Sequence, residues 1–117
     1  MKRVLIVDDV ADIRLMLRYL IEKENYTIVA EAANGEEAVE KYLEHTPDIT
    51  IMDIDMPFMT GVEAAREIRA VAGDARIIFC SGRISRYAAC LADQPMEGTS
   101  ILAKPFLPDQ LYKAMAK

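Results

Sequence analysis

The 117-residue sequence predicts an α/β domain in which a five-stranded parallel sheet is covered by helices on both faces. Two observations carry that prediction. Short apolar runs alternate with amphipathic helical patterns in the order βαβαβαβαβα. Three of the runs are also almost continuously apolar, the pattern of strands buried on both sides.

The predicted strands occupy residues 3–8 (RVLIVD), 27–32 (TIVAEA), 49–53 (ITIMD), 76–80 (RIIFC) and 100–103 (SILA). The first helix is marked by Ile13, Met16, Leu17, Leu20 and Ile21, which recur at helical spacing and form one apolar stripe. The second opens at Asn34, with Glu37 three residues on and Val39, Tyr42 and Leu43 behind it. The third opens at TGVE, where Thr60 and Glu63 have the spacing of a capping box, and stops at Gly73. The fourth is weaker, with Ser85 as cap, residues 87–92 as body and Pro95 as terminator. The fifth starts near Pro108, a residue favoured at the first helical position, and ends with Lys113 and Lys117.

Composition narrows the function classes. Apolar residues make up 52% of the chain, so a packed core is expected and disorder is not. No linker, repeat or low-complexity stretch appears, which predicts one domain over residues 1–117. A net charge of −5 argues against non-specific binding to nucleic acid or to anionic membranes. No apolar run reaches the length of a bilayer span, and the start MKRVLIVDD is too short for a signal-peptide core. Cys80 and Cys90 lack metal-type spacing and read as core thiols in a reducing compartment, so a cytoplasmic location is expected.

In parallel α/β sheets, ligands bind beyond the carboxyl ends of the strands, where strand order reverses. The first strand ends in Asp8 and Asp9, and the third in Asp53 with Asp55 two residues later. Ser81 comes directly after the fourth strand and Lys104 after the fifth. If the strand order is 2-1-3-4-5, the first and third strands are neighbours and Asp8, Asp9 and Asp53 converge. Three such carboxylates must either take up protons or share a cation. Oxygen-only donors select a hard ion, of which Mg²⁺ fits best. Lys104, set before Pro105, suits an anion that arrives later, such as a phosphoryl group, and Ser81 offers it a hydroxyl. The plainer reading is that the acids cap helices and decorate loops.

The motifs LIVDDV, IMDIDMP with TG after it, IIFCSG and ILAKPF stand in the order of a known family. Together they make the whole chain resemble the receiver domain of two-component response regulators. The resemblance implies a flavodoxin-like (βα)5 three-layer sandwich with strand order 2-1-3-4-5. It implies that Asp53 is the phosphoacceptor and that Asp8 and Asp9 bind Mg²⁺, with the backbone carbonyl of Asp55 completing the shell. Ser81 is then the switch hydroxyl and Lys104 the phosphoryl-binding lysine. The donor would be a sensor histidine kinase or phosphotransfer protein. The output would be protein–protein contact through the fourth helix, fifth strand and fifth helix. No turnover is implied beyond self-phosphorylation and slow dephosphorylation, so the chain is not expected to be an enzyme.

Some residues depart from the family pattern. Ile101 stands three before the lysine, where an aromatic is usual, so an aromatic switch is lacking unless Tyr87 or Phe106 contributes. Ser81 replaces the commoner threonine. Asp55 and Arg83 flank the implied phosphoryl site and would form an ion pair controlling water access, or would be two solvated loop charges. Two rival functions remain. Asp53-Ile54-Asp55 matches the nucleophile motif of haloacid-dehalogenase-type phosphatases, but those carry it on the first strand. A pseudo-receiver scaffold would lack one or more key groups, and all are present. No glycine-rich nucleotide motif occurs, and the lone His45 lies late in the second helix, away from the strand ends.

Overall fold

The apolar runs form strands because both faces of the sheet are covered. The computed structural model describes residues 1–82 and 96–116. The strands are β1 Arg3–Val7, β2 Thr27–Ala32, β3 Ile49–Asp53, β4 Ile77–Ser81 and β5 Thr99–Ala103. They form one parallel sheet in the order β2-β1-β3-β4-β5, as the sequence implied. The helices among the described residues are α1 Ala11–Lys23, α2 Gly35–His45, α3 Gly61–Val71 and α4 Pro108–Ala116. The helix expected over residues 87–92, with Arg83, Ser85, Cys90 and Pro95, lies outside the described residues.

Side chains alternate across the sheet and build two cores. Leu5, Val7, Met52, Ile77 and Phe79 pack with Ala38 and Tyr42 of α2 and with Val62, Ala65 and Ile68 of α3. Val4, Ile6, Ile49, Ile51 and Ile78 pack with Leu17 and Ile21 of α1 and with Leu111 and Met115 of α4. This is the expected three-layer sandwich. Local chemistry sets the helix starts. The Asn34 side chain accepts from the Glu37 backbone at 2.9 Å, and Thr60 and Glu63 form both halves of a capping box. At α4 the Gln110 side chain accepts from the Leu107 backbone, outside the helix.

The structure corrects some details. Met16 is 43% exposed, so the buried stripe of α1 is Leu17 and Ile21, with Ile13 and Leu20 half-buried. β4 runs one residue further than expected, to Ser81, and β5 starts one residue earlier. In both cases parallel pairing continues, Ser81 opposite Ala103 and Ile77 opposite Thr99, which an apolar pattern alone does not reveal.

Thr50 sits between Leu5 and Ile77 in the register, fully buried. Its hydroxyl has no hydrogen-bond partner among the described residues. A buried unpaired hydroxyl costs about 1–3 kcal/mol. Thr50→Val is therefore expected to raise unfolding stability by about 1 kcal/mol, read as a shift in the urea midpoint at constant slope.

Candidate functional site

Register decides what meets at the carboxyl edge. Val7 pairs with Met52, so the next residues, Asp8 and Asp53, emerge side by side from β1 and β3. Asp53 pairs with Cys80 and Ser81 with Ala103, which brings Lys104 to the same edge. The Lys104 backbone N–H donates to the Ser81 carbonyl at 2.7 Å and fixes that approach.

The expected carboxylates do converge. Oxygens of Asp8, Asp9 and Asp53 all lie within 4.8 Å of one another. Asp8 and Asp53 are buried and Asp9 is exposed. Lys104 Nζ donates to Asp8 Oδ2 at 2.9 Å and to Asp53 Oδ1 at 3.4 Å. The other Asp8 oxygen accepts from the Val10 backbone at 2.9 Å. These residues, with Val10, Asp55 and Gly82, line an open cleft of about 440 Å³.

Lys104 contacts two of the three clustered carboxylates, and burial and charge shift these groups unequally. Burial pushes the Asp53 carboxyl up; Lys104 pulls it down, while Asp8 and Asp9 push it further up, leaving it at about 6. Burial works against the charge of Lys104, but its hydrogen bond to Asp8 and the charges of Asp53 and Asp8 outweigh this, so its pKa lies above the ordinary value. Burial pushes the Cys80 thiol up to about 12, so it is a core thiol as expected and not a nucleophile.

The other expected residues differ in how they meet the cleft. Ser81 is buried, with Oγ at 3.5 Å from Asp55 Oδ2, so Asp55 brings its side chain as well as its backbone to the cleft. The implied ion pair with Arg83 lies outside the described residues. His45 ends α2, where its carbonyl accepts from Arg3 Nη1 at 2.6 Å, and it does not line the cleft. Ile101 is 50% exposed on β5.

Gly61, the glycine of the TG that follows IMDIDMP, has a role its motif alone does not reveal. A Cβ there would lie 2.1 Å from the Asp53 carbonyl oxygen, so only glycine lets α3 start against the backbone of Asp53. The Gly61 N–H donates to the Ile54 carbonyl at 2.9 Å, closing the loop. The signal was the glycine directly after the Thr60 cap. In the same loop Phe58 is fully exposed at φ 69°, and no contact among the described residues explains an aromatic there.

The donors present fit a hard divalent ion: three carboxylates within mutual reach, all oxygen, carrying more negative charge than Lys104 offsets.

An α/β sheet with such an edge defines a class of protein, and the comparisons agree. Residues 4–116 match the model of the response regulator receiver domain, and the chain belongs to that family. It is 44% identical over 116 residues to the chemotaxis protein CheY of Thermotoga maritima, covering 99% of this chain and 96% of that one. It is 42% identical to CheY of Bacillus subtilis, covering 98% and 95%. Among solved structures, Vibrio cholerae CheY4 superposes with a TM-score of 0.87 at 30% identity, covering 99% and 97%. A Borrelia burgdorferi complex described as CheX-CheY-BeF3-Mg+2 gives 0.88 at 31% identity, covering 97% and 86%. The chain is thus a receiver domain of the CheY type.

The crowded edge has measurable consequences for stability. The ordinary Asp value is 3.8 and that of folded Asp53 is about 6, so folding takes up a proton in this interval. The stability this supplies is full below 3.8 and is lost as pH rises through about 6. Without divalent ions, Asp53→Asn is expected to raise stability at pH 7.5 by roughly 1–3 kcal/mol and to flatten the pH dependence, measured by thermal unfolding. Gly61→Ala is expected to cost about 1–3 kcal/mol in the same assay, because helix or strand must shift.

Proposed function

We propose that this receiver is a phosphorylation-activated signalling switch with Asp53 as acceptor. The carrying observation is the placement of Lys104 Nζ between Asp8 and Asp53, a cation held over the one carboxylate among the described residues whose pKa is strongly raised. At neutral pH Asp53 is ionised and open to the cleft. One of its oxygens attacks phosphorus in line with the leaving group. With a phosphohistidine donor, the P–N bond breaks and its electron pair stays on the imidazole. The product is an aspartyl phosphate.

Such transition states are loose, so positioning and charge stabilisation do most of the work. Asp8, Asp9, Asp53 and the Asp55 carbonyl would hold Mg²⁺. When bound, that ion neutralises the acids and the phosphoryl oxygens. Lys104 transfers its hydrogen bond from Asp53 to a phosphoryl oxygen. Ser81 turns its hydroxyl from Asp55 to another, and that turn shifts the end of β4. A change from 1:99 to 99:1 needs about 5.5 kcal/mol of differential interaction. Charge-assisted hydrogen bonds at roughly 1.5–3 kcal/mol each supply it.

The relatives support this reading. The Borrelia CheY complex contains BeF3 and Mg+2 alongside a second protein, CheX. We take a sensor kinase or phosphotransfer protein as donor and a protein target as output, reached through β5 and α4. We place the protein in the cytoplasm; no helix among the described residues is long and apolar enough to cross a membrane. Catalytic turnover of external substrates is not part of the function.

Incubation with acetyl phosphate and Mg²⁺ tests the chemistry. Intact-mass spectrometry is expected to show one added phosphoryl group on the wild type and none on Asp53→Asn. Equal labelling of both would show that the acceptor is elsewhere.

A further inference from the structure

The acids that would hold a cation need their own support, and α1 is poorly equipped to give it. Its N-cap is Val10, which has no side-chain cap. The short loop from β1 to α1 carries Asp8 and Asp9, and Asp9 is exposed. Something must fix the peptide that joins them.

Arg14 does so. Its Nη1 donates to the backbone carbonyl of Asp8 at 2.6 Å, and that carbonyl belongs to the Asp8–Asp9 peptide. Its Nε donates to Glu31 Oε1 of β2 at 3.2 Å. Arg14 and Glu31 are 20% and 28% exposed, so the pair is largely shielded. Glu31 is in turn held by Arg18 from the next turn of α1, through Arg18 Nε at 2.9 Å and through Nη2. The chain of contacts runs from β2 through Glu31 and Arg14 to the peptide between the two acids.

We propose that Arg14 is a positioning residue: anchored by Glu31, it holds the Asp8–Asp9 peptide so that both carboxylates face Asp53. This rests on the proposed role of the acidic cluster in binding Mg²⁺. Groups that orient metal ligands are worth roughly 10–100-fold in affinity.

Charge and positioning make opposite predictions here, which gives the test its force. Removing a cation near three acids tightens binding of a divalent ion by Coulomb attraction alone. Loss of positioning weakens it. The dissociation constant for Mg²⁺ is measured by isothermal titration calorimetry on wild type, Arg14→Met, Arg14→Lys and Arg18→Met, with thermal midpoints in EDTA as the check on folding.

Arg14→Met is expected to bind Mg²⁺ roughly tenfold more weakly. Arg14→Lys keeps the charge but cannot reach both partners, and is expected to show a smaller loss in the same direction. Arg18→Met breaks the other half of the Glu31 contact without touching Asp8, and is expected to bind like the wild type. Unchanged or tighter binding in a folded Arg14→Met overturns the proposal. Should that variant fail to fold, Arg14→Lys decides alone: weaker binding supports positioning, and an unchanged constant overturns it. A wild type that binds no Mg²⁺ removes the reading of the cluster itself, and this proposal with it.

Discussion

Mutual repulsion among Asp8, Asp9 and Asp53 is the constraint on which the rest of the structure depends. Folding brings their oxygens within 4.8 Å of one another, although like charges at that distance oppose folding. Lys104 relieves part of the repulsion, and Asp53 still sits at about 6 because burial raises it first, with the charges of Asp8 and Asp9 adding to the rise. Such a site has a standing affinity for positive charge. It is stable enough to persist because the β1–β3–β4 framework beneath it is almost wholly buried, and the stored repulsion is small against that packing.

Rigidity of the frame explains how the repulsion is held in place. β3 is buried along its whole length, and Asp53 is its last residue. The loop after it is closed by Gly61 against the backbone of β3 and by the Thr60–Glu63 box. On the other side, the β1–α1 loop lacks a helix cap and leans on side chains instead: Asp8 on the Val10 N–H, and Arg14 on the Asp8 carbonyl. The two sides of the cleft are therefore built differently, one from backbone packing and one from a polar relay. Ser81 at the end of β4 donates to Asp55 of the loop after β3 at 3.5 Å.

The architecture was readable from the sequence because period and punctuation agreed. The runs at Ile49 and Ile77 are apolar without alternation, and the caps at Asn34 and Thr60 are local signals that need no tertiary context. The convergence of Asp8, Asp9, Asp53 and Lys104 was also readable, since all stand at the carboxyl ends of predicted strands and one strand order joins them. Less local features were not. The pairing of Ser81 with Ala103 extends β4 through a polar residue. Met16 fits the helical stripe yet faces outward, because the helical angle is only part of what buries a side chain. Close approach at Gly61 depends on how α3 packs on β3, and the Arg14–Glu31–Asp8 relay links residues that no periodicity connects.

The carboxyl carbon of Asp53, tracked by ¹³C NMR during a pH titration with and without Mg²⁺, reads the combined burial and crowding of that group and its response to a cation. A midpoint near 6 in the metal-free protein, moving well down once Mg²⁺ saturates the site, is the expected result. A midpoint at the ordinary 3.8 that ignores the ion would show that Asp53 is neither buried among the acids nor shares a cation with them.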